Sequence, residues 1–244
     1  MAADASLIRQ FAPTGVLRAS LNLGNPVLAH SRTASERPAG VSIDLARELA
    51  SELGVQAQLL EFDTAARSVE ALAAGQADVG FMAIDPLRAG SIQFTTAYVQ
   101  IEGAYLVPQD SPITSNEQVD QPGIDIVVGA GSAYALYLAR AIKNARLLEV
   151  PTSEAVVEAM LEGGHPAAAG VRQQLESDAK RLGGVRVLAG RFMVINQAMA
   201  MPRDRGAQAH AYLADFVERM KRQGFVAAAL ERHGIQGAKV AEAG

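Results

Sequence analysis

The chain of 244 residues contains no cysteine and no tryptophan, and aromatic residues make up only 5% of it. Without cysteine there is no disulfide framework, no thiolate ligand for a metal and no thiol nucleophile. The formal net charge of −4 gives no electrostatic reason to expect nucleic acid or an anionic membrane as a partner. These absences remove several classes of enzyme and binding protein, and they fit the periplasm and the cytoplasm equally well.

The sequence also lacks the common signatures of metal and cofactor sites. The four histidines show no H-x-x-x-H spacing, and no cluster of Asp, Glu and His forms a coordination set. There is no G-x-S-x-G elbow, no P-loop and no G-x-G-x-x-G fingerprint, because Gly129-Ala130-Gly131 lacks the third glycine. The sequence therefore predicts neither a metal nor a cofactor.

Long apolar runs are missing as well. Every run is far shorter than the roughly 18–20 residues that a membrane span needs. The first residues, Met1 to Ser6, do not place a basic segment before an apolar one, so no signal peptide is recognisable. We expect a protein without membrane spans, whose leader was either removed or never existed.

What is present is an alternation of strand and helix patterns. Strands are predicted over 17–21, 55–62 and 78–83, with helices over 43–53 and 67–74 between them. Ser42 is the expected N-cap of the first helix, and Gly54 fits the position after its end. A β-α-β-α-β order predicts an open α/β sheet with a ligand site at the carboxyl ends of its strands.

The same order returns in the second half of the chain. Strands are predicted over 124–128, 146–150, 167–170, 185–188 and 192–201, and helices over 133–143, 153–161 and 172–182. Two further helices, over 207–222 and 225–233, close the chain. Two α/β blocks of near-equal size indicate two lobes with a cleft between them, where small-molecule sites preferentially lie.

Five segments carry a family resemblance. They are Ala77–Arg88 with Phe94–Tyr98, Gly40–Ala46, Leu72–Asp78, Gly129–Ala133 and Met220–Phe225 with Leu230. In this order and spacing, from about residue 15 to 236, they resemble motifs of the extracellular solute-binding proteins of family 3, the polar amino-acid receptors of ABC importers. Each motif is weak alone, and their order makes the resemblance specific.

The resemblance implies the periplasmic binding protein-like II fold, an α/β architecture of two Rossmann-like lobes joined by a two-segment hinge. Lobe 1 would be residues 1–102 plus 198–244 and lobe 2 residues 103–197, with the ligand cleft between them. A ligand would be trapped by hinge closure. The expected protein is a monomeric periplasmic receptor that delivers its ligand to ABC transporter membrane subunits. A natively leaderless, cytoplasmic protein is the alternative.

The resemblance also assigns roles to particular residues. Arg88 would hold the ligand carboxylate from lobe 1, because a planar fork of donors suits a carboxylate. Ser132 and the backbone N–H of Ala133 would face it from lobe 2. They begin a predicted helix, whose N-terminus favours an anion independently of any family argument. Phe81, Ala83 and Tyr134 are further candidate ligand-binding residues.

Several positions depart from the family pattern. The acid that takes an α-ammonium is replaced by Val171, and the acid after the first strand is Asn22. Asn25 and Ala65 stand where the family has aromatic residues, and Ala83 and Asp85 stand at its two hydroxyl positions. Because an unpaired buried ammonium is costly, these changes argue against a standard α-amino acid.

The expected ligand is therefore a small organic acid or an atypical amino acid, for example an amide-bearing or hydroxylated acid recognised by Asn22 and Asn25. Arg172 is either a second cationic contact, which would suit a dicarboxylate, or a solvated residue at a helix start. Asp85 or Glu102 would be the acceptors if an amine is bound from another direction.

Two other functions stay open on the same fold. One is a cyclohexadienyl dehydratase-like lyase acting on a prephenate-type acid, with Glu102, Asp85 or Glu61 as general acid if burial raises its pKa. Absence of turnover with prephenate or arogenate would exclude this enzyme. The other is a sensor module that reports its ligand to a partner, although no kinase or DNA-binding motif accompanies it.

Overall fold

The computed structural model describes residues 4–30 and 38–244. Contacts divide the chain into two compact units, unit 1 with Met1–Gln100 and Asn196–Gly244 and unit 2 with Ile101–Ile195. The chain thus leaves unit 1 once and returns to it once. Of the predicted lobe 1, residues 1–3 and 31–37 lie outside the described residues.

Eight α-helices and ten β-strands make up the described part of the chain. In chain order they are α1 (Ala5–Phe11), β1 (Val16–Asn22), α2 (Val41–Leu53), β2 (Gln56–Phe62), α3 (Ala65–Ala73), β3 (Val79–Ala83), β4 (Ile92–Pro108), β5 (Asp125–Gly129), α4 (Ala133–Ala141), β6 (Arg146–Val150), α5 (Val156–Gly163), β7 (Ala167–Val171), α6 (Arg172–Leu182), β8 (Val185–Val187), β9 (Met193–Pro202), α7 (Ala207–Arg222), α8 (Phe225–Arg232) and β10 (Lys239–Val240).

In unit 1, β1 lies between β2 and β3 and is parallel to both, and β9 pairs antiparallel with β3. The amphipathic helix α2 packs its apolar stripe against β1 and β2. It ends at Gly54, whose φ of 68° is the left-handed conformation that glycine adopts without strain. Because the three parallel strands run the same way, the residues that follow them emerge at one edge of the sheet.

The start of β3 is held by a buried carboxylate. Asp78 is 1% exposed and accepts hydrogen bonds from the Arg18 backbone N–H at 2.9 Å and from its Nε at 2.9 Å and Nη2 at 2.8 Å. Arg205 Nη2 donates to the same carboxylate at 2.8 Å. This network ties β1, β3 and the segment before α7 together, which explains the aspartate in the Leu72–Asp78 motif.

In unit 2, β5 pairs in parallel with β6 and β7, while β7 and β8 pair antiparallel with β4. Successive side chains of a strand point to opposite faces. One face therefore gives Tyr105, Ile126 and Ala167 to a core with α4, and the other gives Leu106, Val127 and Ala168 to a core with α5 and α6. Helices on both faces are the arrangement expected of an open α/β sheet.

The predicted α/β class is confirmed, and the expected N-cap of α2 is wrong. Ser42 is not the N-cap of α2, because the helix begins at Val41 with Gly40 as N-cap. The Ser42 hydroxyl instead lies 3.1 Å from the Tyr98 hydroxyl, and both side chains are buried. The 17-residue strand β4 and the short helix α1 were not predicted.

Candidate ligand-binding residues in each unit

Arg88 lies in a short 3₁₀ turn that follows β3 in unit 1. Its side chain is buried, with 6% of the residue exposed, and its Nη1 donates to the carbonyl oxygen of Ala83 at 3.1 Å. Burial lowers the pKa of Arg88, and the nearby negative charge of Asp85 opposes that shift. A guanidinium is a planar fork of five donors, the geometry that suits a carboxylate.

The turn between β3 and Arg88 is built by Asp85 and Pro86. Asp85 is 3% exposed, and its Oδ1 accepts the backbone N–H of Leu87 at 2.9 Å. An aspartate that bonds the backbone two residues on forms an Asx turn, and the following proline fixes φ. Asp85 therefore shapes the loop that carries Arg88 and supplies a negative charge beside it.

Phe81 and Ala83 belong to the same strand. Both are buried, and the Phe81 ring meets the Tyr98 ring edge to face at 6.2 Å between centroids. Ala83 is the last residue of β3 and contributes its carbonyl oxygen to Arg88. Both side chains are part of the hydrophobic core. The strand that they belong to ends at the carboxyl edge of the sheet, next to the turn that carries Arg88.

Asn22 and Asn25 follow the neighbouring strand β1. The Asn22 side-chain oxygen accepts the backbone N–H of Gly24 at 3.1 Å, so it is used inside the turn. The Asn25 side-chain oxygen is buried and has no hydrogen-bond partner among the described residues. The structure thus separates two asparagines that the sequence could not distinguish.

In unit 2, the loop Gly129-Ala130-Gly131 leads from β5 into α4. Ser132 is the N-cap of α4, and its hydroxyl accepts the backbone N–H of Ala135 at 3.1 Å. Ala133 is the first helical residue. Ser132 therefore caps α4, and the helix dipole makes this end of the helix favourable for a negative group.

Tyr134 and Ser153 add hydroxyl groups to the same edge. The Tyr134 hydroxyl donates to Ser153 Oγ at 2.8 Å. Burial raises the pKa of Tyr134, and hydrogen bonds with Ser153 and Ser132 oppose that rise. Gly129 makes room for this pair, because a Cβ there would lie 2.8 Å from the Tyr134 oxygen. Sequence reasoning missed Ser153, although it follows a strand parallel to β5.

Val171 and Arg172 lie where β7 meets α6. Val171 is half-buried and occupies the N-cap position of α6 without a side-chain capping bond. Arg172 donates from Nε to Glu102 Oε2 at 3.0 Å and from Nη2 to the carbonyl oxygen of Gly190. Arg172 is therefore engaged within unit 2, which favours a structural role over a ligand contact.

Glu102 is neutralised by two arginines. Arg191 Nη1 lies 2.8 Å from Glu102 Oε1, and Arg172 holds the other oxygen. These contacts, with Arg191 the stronger, lower the pKa of Glu102. A carboxylate paired in this way is a poor acceptor for a ligand ammonium, and it is ionised when a general acid would have to carry a proton.

Metal and membrane features are absent from residues 4–30 and 38–244. No group of three or more His, Asp or Glu side chains in this part is arranged to hold a metal ion. Nor is any of its helices long and apolar enough to cross a bilayer.

The two α/β units, linked by two chain segments and each carrying polar side chains at the carboxyl edge of its parallel strands, define a small-molecule-binding class of fold. The model of the bacterial extracellular solute-binding proteins, family 3, matches residues 25–236. The chain belongs to this family, as the sequence motifs predicted.

Solved structures of similar fold are numerous. The L-cysteine solute receptor of Neisseria gonorrhoeae matches with a TM-score of 0.80 and 20% identity, over 94% of each chain. An amino-acid ABC transporter substrate-binding protein of Streptococcus pneumoniae, bound to L-arginine, matches with a TM-score of 0.77 and 17% identity, over 91% of this chain and 96% of that one.

A third similar structure is an ancestral amino-acid-binding protein, described as a precursor of cyclohexadienyl dehydratase. It matches with a TM-score of 0.78 and 21% identity, over 93% of this chain and 99% of that one. At such identities the likeness concerns the fold. A search of curated proteins gave no match.

Proposed function

We propose that this chain is the solute receptor of an ABC importer and that it traps a small carboxylate-bearing ligand, either an organic acid or an atypical amino acid. Family membership supports the receptor class. The ligands named for two proteins of similar fold, L-cysteine and L-arginine, both carry a carboxylate.

The observation that carries the proposal is the buried guanidinium of Arg88. It lies at the carboxyl edge of unit 1, fixed through Nη1 on the Ala83 carbonyl oxygen at 3.1 Å. Arginine is the residue best suited to bidentate recognition of a carboxylate, and a preset fork loses little entropy on binding. Burial lowers the pKa of Arg88, and the negative charge of Asp85 opposes that shift.

In unit 2, the N-terminus of α4 is the proposed second contact for the carboxylate. Its first backbone N–H groups lack intrahelical acceptors, and the helix dipole attracts an anion. Ser132 and Ala133 supply this end of the helix, and Tyr134 fixes it through Ser153. We propose that units 1 and 2 close on the ligand from opposite sides by a hinge in their two connecting segments.

Position 171 bears on the kind of acid. A valine there supplies no charge for an α-ammonium, and the alternative acceptor Glu102 is held by Arg191 and Arg172. Leaving a buried ammonium unpaired costs several kcal/mol, on the order of 3–5. The proposed ligand therefore lacks the standard α-amino-acid pair of charges, or places its amine elsewhere.

Transport is favoured over catalysis. The lowered pKa of Glu102 has the opposite direction from that needed by a general acid at neutral pH. The proposed location is the periplasm, and the proposed partners are the ABC transporter membrane subunits. The receptor is proposed to act as a monomer.

A thermal-shift screen with matched ligand pairs tests the proposal. Each acid is paired with a compound of similar shape that lacks the carboxylate: butyrate with butyramide, cysteine with cysteamine, and arginine with agmatine. Succinate and succinamate extend the set of acids. At a concentration of about 100 times its Kd, a ligand raises the free energy of unfolding by about 2.7 kcal/mol, which raises Tm by several degrees. We expect shifts only with acids, and a tight ligand without a carboxylate would contradict the proposal.

A further inference from the structure

One buried polar atom in unit 1 lacks a partner at the edge where the ligand is proposed to bind. The Asn25 side-chain oxygen has no hydrogen bond among the described residues, whereas the Asn22 oxygen accepts the Gly24 N–H at 3.1 Å. Buried acceptors in folded proteins are almost always satisfied, so an exception requires a reason. A donor that arrives with the ligand is one such reason.

The backbone around Asn25 is fixed. The Asn25 carbonyl oxygen accepts the N–H groups of Leu28 at 3.1 Å and Ala29 at 3.2 Å. Pro26 also restricts the backbone conformation of Asn25, because Asn25 precedes it. Gly24 packs so closely on the end of β2 that a Cβ would lie 2.4 Å from the Asp63 carbonyl oxygen. The asparagine is therefore held in place before any ligand arrives, which is the condition for selective binding.

The charges nearby indicate the kind of donor. Asp63, in the loop after β2, is exposed and pairs with Arg67 at 3.2 Å. Asp85, after β3, accepts the Leu87 N–H at 2.9 Å and acts electrostatically on Arg88. Both acids that follow the neighbouring parallel strands are engaged. A neutral amide oxygen satisfies a hydroxyl or an amide N–H, whereas a buried ammonium requires a counter-charge.

We infer that Asn25 is a specificity-determining residue whose side-chain oxygen accepts a hydrogen bond from a hydroxyl or amide group of the ligand. The inference rests on the proposed function and narrows it to carboxylic acids with a neutral second donor. Arg88 anchors the acid group, and Asn25 selects for the second group.

A series of four-carbon acids tests this inference, because it keeps one carboxylate and varies the second group. The probes are butyrate, the 2-, 3- and 4-hydroxybutyrates, the 2-, 3- and 4-aminobutyrates and succinamate, measured by calorimetry on the full chain. One hydroxy acid or succinamate should bind at least about tenfold more tightly than butyrate, the value of one good hydrogen bond. Asn25→Ala should reduce that preference to less than about twofold.

Asn116→Ala is the matched control, since its side-chain oxygen is also buried without a partner but lies in unit 2, before β5. Asn116→Ala should leave the affinity of each acid relative to butyrate unchanged. Asn25→Asp keeps the shape and adds a charge, so it should raise aminobutyrate affinity relative to hydroxybutyrate by about tenfold.

The outcomes separate the two levels of the account. If the acids bind but the hydroxyl or amide preference is missing, or is equal in wild type and Asn25→Ala, the inference is overturned and the proposed function stands. An amino preference that survives Asn25→Ala also overturns it. If no acid of this series or of the screen binds wild type, the proposed function and the inference both fail.

Discussion

Replacing Asp78 by asparagine should destabilise unit 1 strongly. The Asp78 carboxylate is 1% exposed and receives four hydrogen bonds at 2.8–2.9 Å, three from Arg18 and one from Arg205. Asparagine has the same shape but no charge, and its amide NH₂ would face guanidinium donors. Two arginines, 19% and 15% exposed, would lose their counter-ion.

The magnitude follows from this geometry. Breaking a buried ion pair by removing one partner costs about 3–5 kcal/mol, because the remaining charge stays buried. Both arginines keep some contact with water, so we expect the lower end, about 3 kcal/mol. For a chain of this size that is a fall in Tm of about 6–12 °C.

Urea and thermal unfolding followed by circular dichroism measure the loss. Asp63→Asn is the matched control, because the Asp63 and Arg67 side chains are 60% and 66% exposed and such a pair contributes at most about 1 kcal/mol. A loss below about 1 kcal/mol for Asp78→Asn would refute the reasoning that this carboxylate fixes the start of β3.

Two further predictions concern unit 2. Val171→Asp should supply the missing acid and raise the affinity for 2-aminobutyrate relative to butyrate. The aspartate should also stabilise α6 by about 1 kcal/mol as an N-cap. If calorimetry gives the same ratio of the two affinities as in wild type, the role assigned to position 171 is contradicted. Glu102→Gln should lower Tm at pH 7. Because Arg191 and Arg172 lower the pKa of Glu102, its contribution is present above the unfolded value of about 4.3 and is lost as pH falls through the folded pKa. The Tm difference from wild type should therefore shrink below about pH 4, and a constant difference would count against the pairing.

Much of the fold followed from the sequence because apolar periodicity and glycine positions are local signals. The strand from Val79 to Ala83 and the helix from Arg172 to Leu182 are nearly the segments predicted. Ser42 was misassigned because its partner, Tyr98, is 56 residues away, and a local capping rule cannot see that hydroxyl. Likewise, the role of Asp78 depends on Arg205, which is 127 residues away.

The candidate site was predictable in residue types and less so in roles. The pattern named Asn22 and Asn25 together, but only the folded turn satisfies one oxygen and leaves the other buried without a partner. Arg172 had two interpretations, and the contact with Glu102 favours the structural one. The predicted lobe boundaries, the closure on ligand and the binding roles stay predictions.

The most direct test of the account is the affinity of Arg88 variants for the tightest acid from the screen. Arg88→Met removes the fork and the charge, Arg88→Lys keeps only the charge, and Arg203→Met is a control that touches the same turn through the Ala89 carbonyl oxygen. Circular dichroism verifies folding, because Arg88→Met removes the positive charge that faces the buried Asp85. We predict a Kd increase of about 100-fold for Arg88→Met, about tenfold for Arg88→Lys and no change for Arg203→Met. A folded Arg88→Met protein with wild-type affinity would contradict the claim that Arg88 anchors the carboxylate.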